Sequence, residues 1–176
     1  KIGKASMANV TVAEIRRLLI NKSIKHSADM DFSGLDLSGL DFSGLTLASA
    51  NFSNTLLIKT KFVRTYLSKG NFQGADLTNA DFSNANLKEA NLSRTNLENA
   101  YMSRANLTKA SLASAKCNNT SLTFANLNSC DLRNANLTSA SLHGADLTKA
   151  DLTSAITRGA NFKSAKLIGT KGYNPS

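Results

Sequence analysis

Two histidines, two cysteines and twelve acidic residues are the side chains of this chain that could hold a metal or move a proton. His26 and His143 lie far apart, and no Cys, His and Asp cluster has the spacing of metal ligands. No glycine-rich phosphate loop, nucleophile turn or paired carboxylate stands out from its surroundings. Eight of the aspartates, Asp31, Asp36, Asp41, Asp76, Asp81, Asp131, Asp146 and Asp151, differ in position only by multiples of five. Residues placed by such a beat serve the backbone first, because Asp and Asn side chains bond neighbouring N–H groups in turns. The residues thus point away from an enzyme, and no cofactor or metal is expected.

The elements behind that beat follow from the apolar residues. From Phe32 to Leu167 every fifth position is large and apolar, the exceptions being Cys117 and Thr157. Two places before each the residue is usually small, as at Ala50, Ala75, Ala80, Ala145 and Ala160. A period of five matches neither a helix of about 3.6 nor a strand of 2, so the unit is a repeating turn. Units that cannot bury an apolar side alone must stack, and the result is a solenoid. Between Phe32 and Phe82 the central residues alternate strictly between Phe and Leu. In a four-sided coil, residues ten apart sit on opposite sides, so Phe32 is expected to face Phe42, and residues twenty apart stack directly. His143 then takes an outward slot as a solvated polar side chain. Cys117 and Cys130 take inward slots as small apolar fillers, and their separation across the core disfavours a disulfide.

The runs Ala75-Asp76-Leu77-Thr78-Asn79, Ala85-Asn86-Leu87-Lys88-Glu89 and Ala145-Asp146-Leu147-Thr148-Lys149 carry the A(D/N)LxX pattern. In this the chain resembles the pentapeptide-repeat proteins, over roughly residues 30–169. The resemblance implies an all-β fold, a right-handed quadrilateral parallel β-helix with four repeats per coil. Twenty-eight repeats would make about seven coils and a rod about 34 Å long at about 4.8 Å per coil. The expected organisation is an N-terminal segment over 1–29, the β-helix over 30–169 and a tail over 170–176.

Thr11 and Glu14 have capping-box spacing, and Val12, Ile15, Leu18 and Leu19 form an apolar stripe at helical spacing. These residues predict a short helix over 12–21 that lids the open end of the first coil, as solenoid ends require. The other end lacks such a helix. Three arrangements are open: the tail folds over the last coil through Tyr173, two chains meet there as a homodimer, or the natural chain continues. Thr157 hints that this end is loose, either bonding a backbone carbonyl or yielding its place to Ile156 through a bulge.

With chemistry absent, function must lie on the surface. The second coil places Leu56, Ile58, Val63 and Tyr66 in outward slots, together with Lys59, Lys61, Arg64 and Lys69 and with no acid among them. Apolar residues rimmed by charge mark a contact site, or a surface over which the N-terminal segment lies. A second set is Tyr101, Arg104 and Phe124, all on one side, with Arg64 two coils away in the column of Arg104. The chain is strongly basic, with a net charge of +9 and a pI near 9.8. Some proteins that this chain resembles protect DNA gyrase and related topoisomerases by imitating the shape and charge of DNA. A cationic rod is a poor imitation, so this role is disfavoured. Direct nucleic-acid binding is compatible with the sign but disfavoured too, because the positive charges are spread and aromatics do not interleave with them.

The expected function is therefore a non-catalytic protein–protein interaction module or scaffold, with an unidentified protein partner. Pentapeptide repeats also serve as recognition parts of bacterial effectors and ubiquitin-ligase subunits, some with a helix before the first repeat. Together with the start at Lys1, that resemblance makes a recognition domain of a larger effector or adaptor the alternative. No stretch has the length and apolarity of a membrane span, and a cytoplasmic setting, or delivery into a host cell for an effector, is expected.

Overall fold

Each five-residue unit closes on itself through one hydrogen bond. The carbonyl of the central residue accepts from the N–H three places on, as Leu47 O does from Ala50 N at 3.1 Å. The residue between them that turns the corner has a positive φ, and this holds at every fifth position from Gly34 to Gly169. This is the geometry of a type II turn, which requires φ > 0 at its third residue. Seven of these corners are Gly; the others are Asn, Ser, Lys, Arg, Glu and Phe, and none is β-branched. A branched Cβ would collide with the backbone in that left-handed conformation, whereas unbranched side chains accept it at a cost of about 1–2 kcal/mol. The Asp or Asn before the central residue braces the turn, accepting the N–H two places on: Ser33 N donates to Asp31 Oδ1 at 3.0 Å, and Thr108 N to Asn106 Oδ1 at 3.1 Å. The periodic acids are thus turn residues.

Four such corners return the chain to its starting side. The computed structural model describes residues 10–24 and 30–174. In it, parallel bridges join residues twenty apart, from Asp31 with Asn51 through to Asp151 with Lys171. Phe32 N donates to Asn51 O at 2.7 Å, and Asn51 N returns the bond to Met30 O at 2.7 Å. Seven coils follow, over 31–50, 51–70, 71–90, 91–110, 111–130, 131–150 and 151–170. The four faces are named by their central residues in the first coil: the first face holds Phe32, the second Leu37, the third Phe42 and the fourth Leu47.

The central columns fill the interior completely. Rings twenty residues apart stack nearly parallel, Phe52 on Phe72 at 4.9 Å and 6°. Rings ten apart meet edge to face, Phe62 and Phe72 at 5.8 Å and 89°. Opposed faces therefore touch in mid-core as expected, and there is no bore. The small inward slots are mostly Ala; Leu35, Leu40 and Leu45 fill them in the first coil, Gly70 and Cys130 later on, and where Thr takes one it finds a partner: the hydroxyls of Thr55, Thr60 and Thr65 donate to Phe32 O, Leu37 O and Phe42 O at 3.0, 3.1 and 3.0 Å. Both cysteines are free and buried. Burial pushes the Cys117 thiol up to about 12 and the Cys130 thiol up as well, so neither is nucleophilic.

Helix α1 (Val12–Ile20) precedes the coils, one residue shorter than the stripe predicted, with Asn21 as its C-cap. Thr11 Oγ1 accepts from Glu14 N at 3.2 Å, and Glu14 Oε2 accepts from Thr11 N at 2.8 Å, the reciprocal capping box. Ile15 is fully buried, and Leu18 and Leu19 pack on the core. At the other end Phe162 and Leu167 are only half-buried, and the tail folds back so that the Tyr173 ring lies 4.8 Å from that of Phe162. Gly172 permits the return: its φ is +68°, and a Cβ there would stand 2.5 Å from Thr153 N. Thr157 keeps its half-buried central slot, while Ile156 stays outward, 52% exposed and bridged to Asn136. No bulge exchanges them.

Two expectations follow. Leu97→Asp places a carboxylate in a slot with no exposure; an unpaired buried charge costs several kcal/mol against a total stability of about 5–15. The cooperative thermal transition by circular dichroism should vanish, and an unchanged melting temperature would contradict the inward assignment. The acids set the second. Bonds from the hydroxyl, then the N–H, of the residue two places on hold Asp31, Asp36, Asp146 and Asp151 below the usual carboxylate range. The Arg133 guanidinium does the same for Asp131. A depressed folded pKa gives stability that is full above the unfolded value of about 3.9 and lost as pH falls through the folded one. The melting temperature should hold from pH 7 to 5 and drop below about pH 4. Equal values at pH 2.5 and 6 would rule this contribution out.

Candidate interaction surface

The outward slots of the second coil wrap three sides of the rod. Leu56, Ile58 and Lys59 stand on the second face, Lys61, Val63 and Arg64 on the third, and Tyr66 and Lys69 on the fourth. Leu56 and Tyr66 are 46% and 56% exposed, yet they belong to opposite faces and cannot meet one flat partner. The absence of acids within the coil does not survive stacking: the ladder sets Lys61 between Asp41 and Asp81, and Leu56 between Asp36 and Asp76. Nor does α1 lie over these residues. Its residues Arg16, Leu19 and Ile20, with Lys22 and Ile24 just after it, line a groove of about 810 Å³ against Gly39, Leu40, Asp41, Ser43, Gly44 and Leu45 of the first coil. The second-coil set is thus three smaller patches rather than one.

The second set is brought together. Tyr101, Arg104 and Phe124 all stand on the third face, with Tyr101 and Phe124 exposed. The Arg104 guanidinium lies 5.2 Å from the Phe124 ring centre, a cation–π contact between adjacent coils. On the other side the ring presses against Gly144, where any Cβ would collide with it. The His143 ring meets Phe124 edge to face at 5.3 Å. Beside this column runs a line of hydroxyls, Ser103 to Ser121 at 3.0 Å, Ser121 to Thr123 at 3.4 Å and Thr123 to Ser141 at 3.1 Å. The result is a flat polar floor edged by Tyr101, Arg104, Phe124 and His143. Among the described residues no three His, Cys, Asp or Glu side chains gather as a metal site, and no helix is long and apolar enough to cross a membrane. His26 lies outside the described residues.

The repeat itself decides the family. The model for pentapeptide repeats matches eight copies, over residues 28–62, 47–84, 85–116, 115–153 and 145–171. The chain belongs to the pentapeptide-repeat family. Its fold is accordingly the right-handed quadrilateral β-helix of that family. Among solved pentapeptide-repeat structures, a protein of the Arabidopsis thaliana thylakoid lumen is 35% identical, over 68% of this chain and 70% of that one, with a TM-score of 0.49. QnrB1, a plasmid-mediated fluoroquinolone resistance protein, is 24% identical over 79% of this chain and 77% of its own, with a TM-score of 0.65. HetL, involved in heterocyst differentiation regulation in the cyanobacterium Nostoc, is 22% identical over 92% and 96%, with a TM-score of 0.41. No curated protein sequence matches the chain.

Sorted by face, the charges of this pentapeptide-repeat rod are unevenly placed. The first and second faces each carry as many acids as bases. The third carries Lys61, Arg64, Arg104 and Lys163 against Asp41 and Asp81, and the fourth carries five lysines against Glu89 and Asp146. The aromatics Tyr66, Tyr101 and Phe124 share these two basic faces, so aromatics and cations do interleave, contrary to the linear reading. His143 is the residue that reading underrated. Its signal was available: it lies nineteen residues after Phe124, and so next to it one coil on.

The contact between Phe124 and Gly144 can be isolated with two alanines. Gly144 and Gly159 share φ near +70°, at +67° and +69°, but a Cβ at Gly159 would keep 3.4 Å from its nearest neighbour, Ser139 Oγ. Both Gly→Ala variants should lose about 1 kcal/mol for the backbone conformation. Only Gly144→Ala should displace the ring, read as loss of the ring-current shift on the Arg104 Nε proton by NMR. An unaltered Arg104 signal in that variant would refute the packing.

Proposed function

We propose that the chain is a non-catalytic interaction rod whose third and fourth faces receive a protein partner. The observation that carries this reading is the segregation of charge and exposed aromatics: two faces are balanced in charge and carry no exposed aromatic, and two are basic with Tyr66, Tyr101 and Phe124. Aromatic and Arg side chains are the residue types that dominate binding energy at protein interfaces. The stacked core keeps these groups at fixed spacing, so little ordering cost falls on association. Lys61, Val63, Arg64, Tyr66 and Lys69 form the near end of this surface, and Tyr101, Arg104 and Phe124 its middle. Leu56, Ile58 and Lys59 stand round the corner and are assigned no share in it. The basic sign also argues against a rod that substitutes for DNA in a basic groove.

The test is a quantitative pull-down from source-cell lysate with three proteins of matched melting temperature. They are the intact chain, a triple variant Lys61→Glu/Tyr66→Ser/Arg104→Glu, and Arg94→Glu on the first face. A protein held by the intact chain and Arg94→Glu but lost by the triple variant is the expected outcome. Equal retention by all three would remove the site from these faces.

A further inference from the structure

Within the proposed partner surface, and resting on that reading, one segment has chemistry specific enough to name what it receives. We infer that the third face between Tyr101 and His143 takes an acidic stretch of a protein partner. A partner carboxylate sits on Arg104, and a neighbouring apolar side chain lies against Tyr101 and the edge of Phe124.

Arg104 is a fixed cation without an anion. The Phe124 ring holds its guanidinium in place, and the salt bridges among the described residues are Lys88 with Glu89 and Arg133 with Asp131, none at Arg104. The contrast with Arg133 is informative. Arg133 binds Asp131 through Nε and Nη2 at 2.9 and 2.7 Å, which uses up its bidentate fork within the coil. Arg104 stands one place further along its repeat, at the corner, and the slot before its central residue holds Tyr101, which carries no charge to offer it. The acid one coil earlier on this face, Asp81, is already engaged by the N–H and hydroxyl of Ser83, at 2.9 and 2.6 Å. Beyond Asp81 the third face contains no acid at all, from the fourth coil to the seventh. A guanidinium held in one orientation, with its donors turned to no protein carboxylate, is prepared for a planar anion.

The surroundings select a protein carboxylate over a nucleic-acid phosphate. A base needs an open aromatic face on which to stack. Phe124 lies between Arg104 on one side and Gly144 on the other, so it presents its edge. Along the same face the cation Lys61 is flanked in its ladder by Asp41 and Asp81, which breaks any continuous track for a phosphate backbone. The hydroxyl floor from Ser103 to Ser141 consists of short side chains tied to one another. It leaves room for an extended peptide to lie between Tyr101 and His143 and supplies hydrogen-bonding groups for its backbone.

The experiment measures fluorescence anisotropy of three labelled probes against the full chain. The probes are an alternating Glu-Phe octapeptide, hexaglutamate, and an oligodeoxythymidine of matched charge. The Glu-Phe peptide should bind best. Arg104→Glu should weaken it about tenfold or more, because the lost and reversed charge faces the carboxylate directly. Phe124→Ser should weaken it without abolishing it. Arg94→Glu, at the same turn position of the same coil but on the first face, should change it less than about twofold, as a remote surface charge acts through screened solvent. Melting temperatures are measured for each variant, so that loss of fold is seen separately. Equal loss from Arg94→Glu and Arg104→Glu would mean unspecific attraction and overturn the site while leaving a basic partner surface in place. No peptide binding, alongside a partner captured in the lysate experiment, would overturn the acidic chemistry alone. Tighter binding of the oligodeoxythymidine, lost in Arg104→Glu, would make the face a nucleic-acid surface and overturn both readings.

Discussion

The corner residue of each repeat is the constraint on which the rest of the molecule depends. Every fifth residue from Gly34 to Gly169 sits in the left-handed region, at φ 52–60° for the non-glycine residues. Each such residue carries an energetic cost that an isolated turn could not sustain. It persists because its neighbours on both sides over-determine it: the turn bond across it, the Asx bond before it and the ladder bonds to the coils above and below. Remove the ladder and the turn has no reason to hold; remove the turn and the ladder has nothing to pair. The cooperative unit is therefore a pair of adjacent coils rather than a single repeat, as in other solenoids.

That mutual dependence explains which parts of the molecule are plain in the sequence. The apolar column and the missing β-branched residues at the corners are local requirements repeated at each turn, so a period of five exposes them. The capping box of Thr11 and Glu14 is equally local, and α1 falls within one residue of its predicted end. Contacts between adjacent coils are another matter, because they join residues about twenty apart, from eighteen for Ser103 and Ser121 to twenty-three for Thr55 and Phe32. The acids on either side of Lys61, the ring of His143 against Phe124 and the grouping of lysines on the fourth face all vanish in a linear scan. They return once positions are sorted by twenty. The tail is harder still, since Tyr173 on Phe162 obeys no repeat and depends on the conformation of Gly172.

The same division separates stability from recognition. Inward slots are filled mostly by Leu, Phe, Ala and hydrogen-bonded Thr, and in the first six coils nearly all of them are buried against their own column. Outward slots need only suit a turn, and Asn, Ser, Asp and Thr do this at most positions. A departure such as Phe124 at a corner gains nothing for the turn. An exposed ring at positive φ, braced by an arginine above and a glycine below, is instead a side chain set at a fixed height and orientation. Such departures are side chains that the turn itself does not require. The exposed aromatic departures, Tyr66, Tyr101 and Phe124, gather on two adjoining faces, the same two that hold the excess of positive charge, while Leu56 and Ile156 stand exposed on the second face. A rigid scaffold holds that coincidence at fixed spacing, so under the proposed function a partner would have to match both the spacing of the coils and the sign of the face.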